Sequence, residues 1–202
     1  MMHRDKVAQS NEEISNLRLF VEQTKDIDGD VAEVGVYEGG TASVIYDAMN
    51  PNKHLYLFDS FESGFVGAGE YDPEWIRSLQ GAGNLGTFSP LNTSYSEIVK
   101  YFQRHSNVTI TKGSFPQSEN GLLKDKKFSF VHLDVDIYLP TKESLEFFYP
   151  KMSKGGVIIS HDYFHSNLQG VKKSMDDFFA DKPEKIISNP NSFMSQGYII
   201  KQ

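Results

Sequence analysis

The chain has 202 residues, 39% hydrophobic and 13% aromatic, enough to bury the core of one folded domain and too apolar for a disordered chain. Its 27 acidic residues outnumber 20 basic ones, and the net charge of −7 argues against nucleic acid, which is bound through basic patches. The absence of cysteine excludes disulfides and thiolate metal sites.

The N-terminus, MMHRDKVAQSNEE, lacks an apolar signal core, and no run approaches the length of a membrane span, so a cytoplasmic protein without a membrane partner is expected. Residues 12–25 place Ile14, Leu17, Phe20 and Val21 on one helical face. The segment 1–28 is therefore expected to be a helical cap or a homodimer contact. DVAEVGVYEGG predicts a strand at about 31–37, and TASVIYDAMN the next helix, closed by Asn50-Pro51. KHLYLFDSF predicts a second strand at about 54–59. The Gly-rich stretch at about 60–92 carries the only Trp with Phe61, Phe65, Tyr71 and Phe88, and fits a lid over an aromatic or glycosyl substrate or, alternatively, a disordered insert.

SYSEIVKYFQRH predicts a helix, NVTITKG a third strand and QSENGLLKD a short helical piece. FSFVHLDV predicts a fourth strand, TKESLEFFYPKM a helix and GGVIISHDY a fifth strand. A helix through VKKSMDDFFAD and strands in KIISN and GYIIKQ complete the series. Alternating strands and helices predict one doubly wound, mostly parallel α/β sheet of seven strands across residues 1–202. The connection SNPNSFMSQ is too short for a parallel crossover, so the last strand should run antiparallel.

Right-handed crossovers put the C-terminal ends of the parallel strands at one edge, where open sheets bind ligands. Gly39-Gly40, Asp59, Gly113, Asp134 and His161-Asp162 all fall there. The turn after the first strand suits a nucleotide-type cofactor, but Tyr37 occupies the second glycine position of G-x-G-x-x-G, which counts against NAD. Glu33 adds an acid beside the turn. Asp59 lies about 20 residues past the turn, where an acid can hold a ribose diol or cap a turn. Asp134, Asp136, His161 and Asp162 could hold Mg²⁺ or Mn²⁺ or act directly on a substrate; alone, His161 is an ordinary loop histidine. A metal-dependent hydrolase, an NAD-dependent oxidoreductase and a non-catalytic binding protein remain rival readings.

Three blocks carry a resemblance: AEVGVYEGGTASVI, LYLFDSFESG and VHLDVDIYLPTKESLEFFYPKMSKGGVIISHDY. They resemble class I S-adenosylmethionine-dependent methyltransferases, specifically the macrocin O-methyltransferase family, which methylates sugar hydroxyls of natural products. The resemblance implies a Rossmann-like sheet with an antiparallel last strand. It implies an O-methyltransferase acting on a small-molecule hydroxyl, with S-adenosylmethionine as cofactor. Glu33, Gly35 and Gly39 would lie along the cofactor's amino-acid end, Asp59 and Ser60 at the ribose, and Ser114 and Phe115 at the adenine, with Asp134 also near the cofactor. A divalent cation would sit on Asp134, His161 and Asp162, with Asp134 or Asp136 as general base. This chain departs from the family at His161, where an acid is common. The imidazole removes one negative charge from a cation site and is itself a candidate base.

Overall fold

A computed structural model describes residues 9–61, 65–79, 95–188 and 195–202. Helix α1 (Asn11–Gln23) starts at a capping box in which the Glu13 N–H donates to Ser10 Oγ and the Ser10 N–H donates to the Glu13 carboxylate. Its Leu17, Phe20 and Val21 are buried. Strand β1 (Asp30–Val34), α2 (Gly40–Ala48) and β2 (Leu55–Asp59) follow, then α3 (Glu74–Leu79), α4 (Tyr95–Phe102) and β3 (Val108–Lys112). The second half carries β4 (Phe128–Leu133), α5 (Tyr138–Phe148), β5 (Met152–Ser160), α6 (Gln169–Phe179), β6 (Ile187–Ser188) and β7 (Gly197–Ile200).

The seven strands form one sheet in the order β3-β2-β1-β4-β5-β7-β6. The first five run parallel to one another, and β7 runs antiparallel to both β5 and β6. The expected architecture is present, including the reversed last strand. Chain order reverses between β1 and β4, so the crevice beyond their C-terminal ends is the place where such sheets bind ligands.

Both faces of the sheet are covered. Val31, Leu55, Leu57, Phe130, Val157 and Ile159 pack with residues of α1, α2 and α4. Ala32, Val34, Tyr56, Phe58, Val131, Leu133 and Ile158 pack with residues of α5 and α6. The period-2 alternation of the strands sorts these side chains between faces.

Element ends differ from the sequence expectation for local reasons. Strand β1 stops at Val34 because Gly35 turns at φ +87°. The expected helix over QSENGLLKD is a single 3-10 turn, Gln117–Glu119, stopped by Asn120 in the left-handed region. Helix α5 begins at Tyr138, ahead of the predicted start, with Pro140 in the first turn, where its missing N–H costs nothing. Part of the expected lid is built into the fold. Asp72 is buried, accepts the N–H groups of Tyr138 and Gly69, and lies against Gly170, where any Cβ would come within 2.0 Å of it. Residues 62–64 and 80–92 of that stretch, Phe88 included, lie outside the described residues. Among the described residues no helix is long and apolar enough to cross a membrane.

Candidate active site

The parallel register assembles the site. Val34 pairs with Leu133, and Leu133 with Ser160, so the next residues on the three strands are Gly35, Asp134 and His161. The ladder runs one step further: the Asp134 N–H donates to Val34 O at 2.8 Å, and the His161 N–H to Leu133 O at 2.9 Å. Gly35 is needed for this approach, since a Cβ there would lie 1.9 Å from the Asp134 carbonyl oxygen. Tyr37, Phe61, Asp136 and Asp162 all have positive φ at this edge, a concentration of backbone strain typical of functional sites.

The His161 ring lies among carboxylates. Its Nδ1 is 3.0 Å from Asp134 Oδ1 and 2.9 Å from Asp162 Oδ2, and its Nε2 is 3.6 Å from Glu13 Oε1. Burial opposes protonation of the ring, but Asp134, with Asp162 and Glu13, raises its proton affinity well above the usual value. Burial likewise opposes ionisation of Asp134, yet His161 holds its carboxyl down at about 2. Asp136 goes the other way: desolvation and then the Asp134 and Asp162 carboxylates push it well above the ordinary range. Two acids two residues apart therefore differ sharply in proton affinity.

Asp134, His161 and Asp162 each offer one ligand atom, all within 4.8 Å of one another. The His161 nitrogen lies 3.0 and 2.9 Å from the two carboxylate oxygens, so the three groups would converge on one bound ion. The donor set, two carboxylates and an imidazole, fits a divalent cation such as Mn²⁺ or Mg²⁺.

His132, Gln9 and Glu13, which the sequence did not single out, complete the cluster together with Glu33. His132 and Glu33 are register partners on β4 and β1, fully buried, with Nδ1 and Oε1 2.8 Å apart. Glu33 is thus fully enclosed within the fold. Burial pushes its carboxyl up while His132 opposes this. Gln9, just before α1, donates from Nε2 to Asp134 Oδ2 at 3.0 Å, and that nitrogen lies 3.4 Å from His132 Nε2. Glu13 Oε1 also accepts the N–H and Oγ–H of Ser195, both at 2.7 Å.

At the glycine turn, Gly39 adopts the left-handed conformation and α2 starts with no side-chain cap, so its first N–H groups face the edge. The Asp59 carboxylate anchors the turn: Oδ2 accepts the N–H groups of Val36 and Tyr37 at 2.7 and 2.9 Å, and Oδ1 that of Phe61 at 2.7 Å. Of about four acceptor positions on a carboxylate, three are in use. Ser60 follows Asp59 and is half-buried, and Ser114 is exposed beyond β3. Phe115 departs from expectation. Its ring is buried, stacked on Phe148 at 5.1 Å and packed against Phe58 and Phe147, because these aromatic partners draw it into the core.

A family profile, macrocin O-methyltransferase (TylF), matches residues 8–191. The chain belongs to this family. Among curated relatives, the chain is 26% identical over 157 residues to the 8-demethyl-8-(2,3-dimethoxy-alpha-L-rhamnosyl)-tetracenomycin-C 4'-O-methyltransferase of Streptomyces olivaceus. The alignment takes in 74% of this chain and 59% of that relative, so the chain spans less than two thirds of its length. Among solved structures, the O-methyltransferase NovP superposes with a TM-score of 0.70 at 23% identity, over 94% of this chain and 79% of the other. An O-methyltransferase from Bacillus cereus in complex with SAH superposes with a TM-score of 0.61 at 14% identity, over 97% and 83%. At these identities the two structures bear on the fold alone.

Proposed function

We propose that this macrocin O-methyltransferase family member transfers the methyl group of S-adenosylmethionine to a hydroxyl of a small glycoside at the C-terminal edge of β1 and β4, with a divalent cation at Asp134, His161 and Asp162. The observation that carries the proposal is the meeting of these three side chains directly beyond the switch point, beside the uncapped start of α2. The open N–H groups of α2 suit the cofactor's carboxylate. The remaining acceptor position of Asp59 suits one ribose hydroxyl, Ser60 lies beside it, and Ser114 takes the adenine side. Gly35 and Gly39 shape the turn around the amino-acid end, and Glu33 lies at the end of β1 just before that turn.

Methyl transfer needs in-line alignment and removal of one proton. A bound divalent cation supplies charge that lowers the pKa of the accepting hydroxyl and favours the ionised forms of the surrounding acids. Asp134, with low proton affinity, suits ligation. Asp136, with the higher affinity, suits acceptance of the hydroxyl proton. A rhamnosyl acceptor in the Streptomyces relative supports a sugar hydroxyl. Exposed Tyr71, Trp75, Leu139 and Phe164 offer apolar surface for the rest of such a molecule.

One observation favours a second reading. His161 Nδ1 sits within hydrogen-bond distance of both carboxylates, so a protonated ring could supply the positive charge without a metal. Calorimetric titration of S-adenosylhomocysteine with Mn²⁺, with Mg²⁺ and with chelator tests both readings. Micromolar binding supports the methyltransferase assignment, and absence of binding in every condition overturns it. Glycoside turnover that survives exhaustive chelation selects the metal-free reading.

A further inference from the structure

Helix α1 and the residue ahead of its cap reach the candidate cation ligands at two points. Gln9 donates to Asp134 Oδ2, which leaves Oδ1 turned toward His161. Glu13 Oε1 faces His161 Nε2 at 3.6 Å, while Nδ1 faces the two aspartates. An imidazole that offers one nitrogen to a cation and the other to a carboxylate has its tautomer and orientation set by that carboxylate. Glu13 is only 6% exposed at its side chain and is held from three sides. Ser195 donates twice to Oε1, and Ser10 donates its N–H and Oγ–H to Oε2 at 2.9 Å each. Gln196 closes the arrangement: it is buried, donates to the Glu13 carbonyl and to Gln9 Oε1, and accepts from Asn16 Nδ2. A helix cap alone requires only the Ser10 contacts. The Ser195 and Gln196 contacts hold Glu13 and Gln9 against the site.

We infer that Gln9 and Glu13 are positioning residues, through which α1 and residues 195–196 fix the orientation of Asp134 and His161 as cation ligands. This inference rests on the cation reading above. Both act through the side chains they orient, Asp134 and His161.

The test is Mn²⁺ binding, followed by the spectroscopic signal of free Mn²⁺ in the full-length protein, with S-adenosylhomocysteine affinity measured in parallel. Glu13→Gln should weaken Mn²⁺ by about 10-fold or more, the usual effect of removing an outer-shell partner. Its S-adenosylhomocysteine affinity should stay within twofold of the parent. Ser10→Ala is the structural control, since it loses side-chain hydroxyl contacts of the same cap but keeps Glu13 facing His161; its Mn²⁺ affinity should match the parent. Gln9→Met provides an independent variant that keeps the length of the side chain and removes the donor to Asp134, and it too should weaken Mn²⁺. If the parent binds Mn²⁺ and both variants bind it equally well, the positioning role is refuted and the cation reading stands. If Ser10→Ala weakens Mn²⁺ as much as Glu13→Gln, the effect is that of the helix cap and the inference also falls. If the parent itself binds no Mn²⁺, the cation reading fails and takes this inference with it.

Discussion

Substituting Gly35 by alanine tests how the crevice is built. The residue has φ +87°, and a Cβ would lie 1.9 Å from the carbonyl oxygen of Asp134 and 2.6 Å from its carbonyl carbon. Both are backbone atoms, so no rotamer change relieves the overlap. A left-handed backbone costs an L-residue about 1–2 kcal/mol. Overpacking costs about 1–3 kcal/mol more. The sum is about 2–5 kcal/mol, and at about 2–4 °C per kcal/mol for a chain of this size the melting temperature should fall by roughly 4–20 °C. Restoring ordinary contact at 3.4 Å requires an opening of about 1.5 Å between the ends of β1 and β4. A misplacement of about 1 Å at a reacting centre can cost about 100-fold in rate. Turnover measured well below the melting temperature should therefore drop by that order. Gly121→Ala is the control, because Gly121 has a similar φ of +82° with nothing within 4 Å of a Cβ. Equal melting shifts for the two variants, with full turnover for Gly35→Ala, would refute the close approach as the reason for glycine here.

Asp59→Ala removes the acceptor for three backbone N–H groups, so it should lower stability by about 2–4 kcal/mol as well as weaken S-adenosylhomocysteine. An unchanged thermal melt would show that the turn does not depend on this carboxylate. Asp134→Asn should abolish turnover, because the residue is a proposed ligand, while S-adenosylhomocysteine affinity by calorimetry stays within a few-fold of the parent. Loss of both would mean that Asp134 also builds the cofactor site. Far from the site, Glu184 accepts from Lys201, Tyr149 and the Gln202 N–H; burial opposes ionisation, but these donors hold its carboxyl at about 2, below the ordinary 4.5. Its contribution is full above about pH 4.5 and is lost as the pH falls through about 2. Glu184→Gln should cost about 1 kcal/mol at neutral pH and flatten the acid side of a melting-temperature profile, and a variant profile parallel to the parent's would contradict this.

The strand–helix alternation made the sheet legible, and the short link before GYIIKQ made its reversed last strand legible. The edge rule for parallel strands placed Asp59, Asp134 and the pair His161-Asp162 at one edge from three separate segments. Other parts of the site depend on distances that no local pattern encodes. Glu33 and His132 are 99 residues apart and meet only because the β1–β4 register makes them partners. The visible signal was weak: each is a polar residue in a mostly apolar strand. The Ser10–Glu13 spacing reads as a capping box, yet nothing local tells that the same carboxylate reaches His161. Phe115 could be placed near the ligand edge by its segment, but its three aromatic neighbours come from β2 and α5, and these turned it inward.

The placement of β7 between β5 and β6 has a consequence in time. Synthesis runs from the N-terminus, and domains fold as their sequence becomes available. Helix α1 emerges early, but the partners that hold its Glu13, Ser195 and Gln196, come immediately before β7. A nascent chain can thus carry Asp134, His161 and Asp162 and still lack the contacts that steady them. A chain halted before Ser195 would hold every proposed ligand and lack the contacts that hold Glu13.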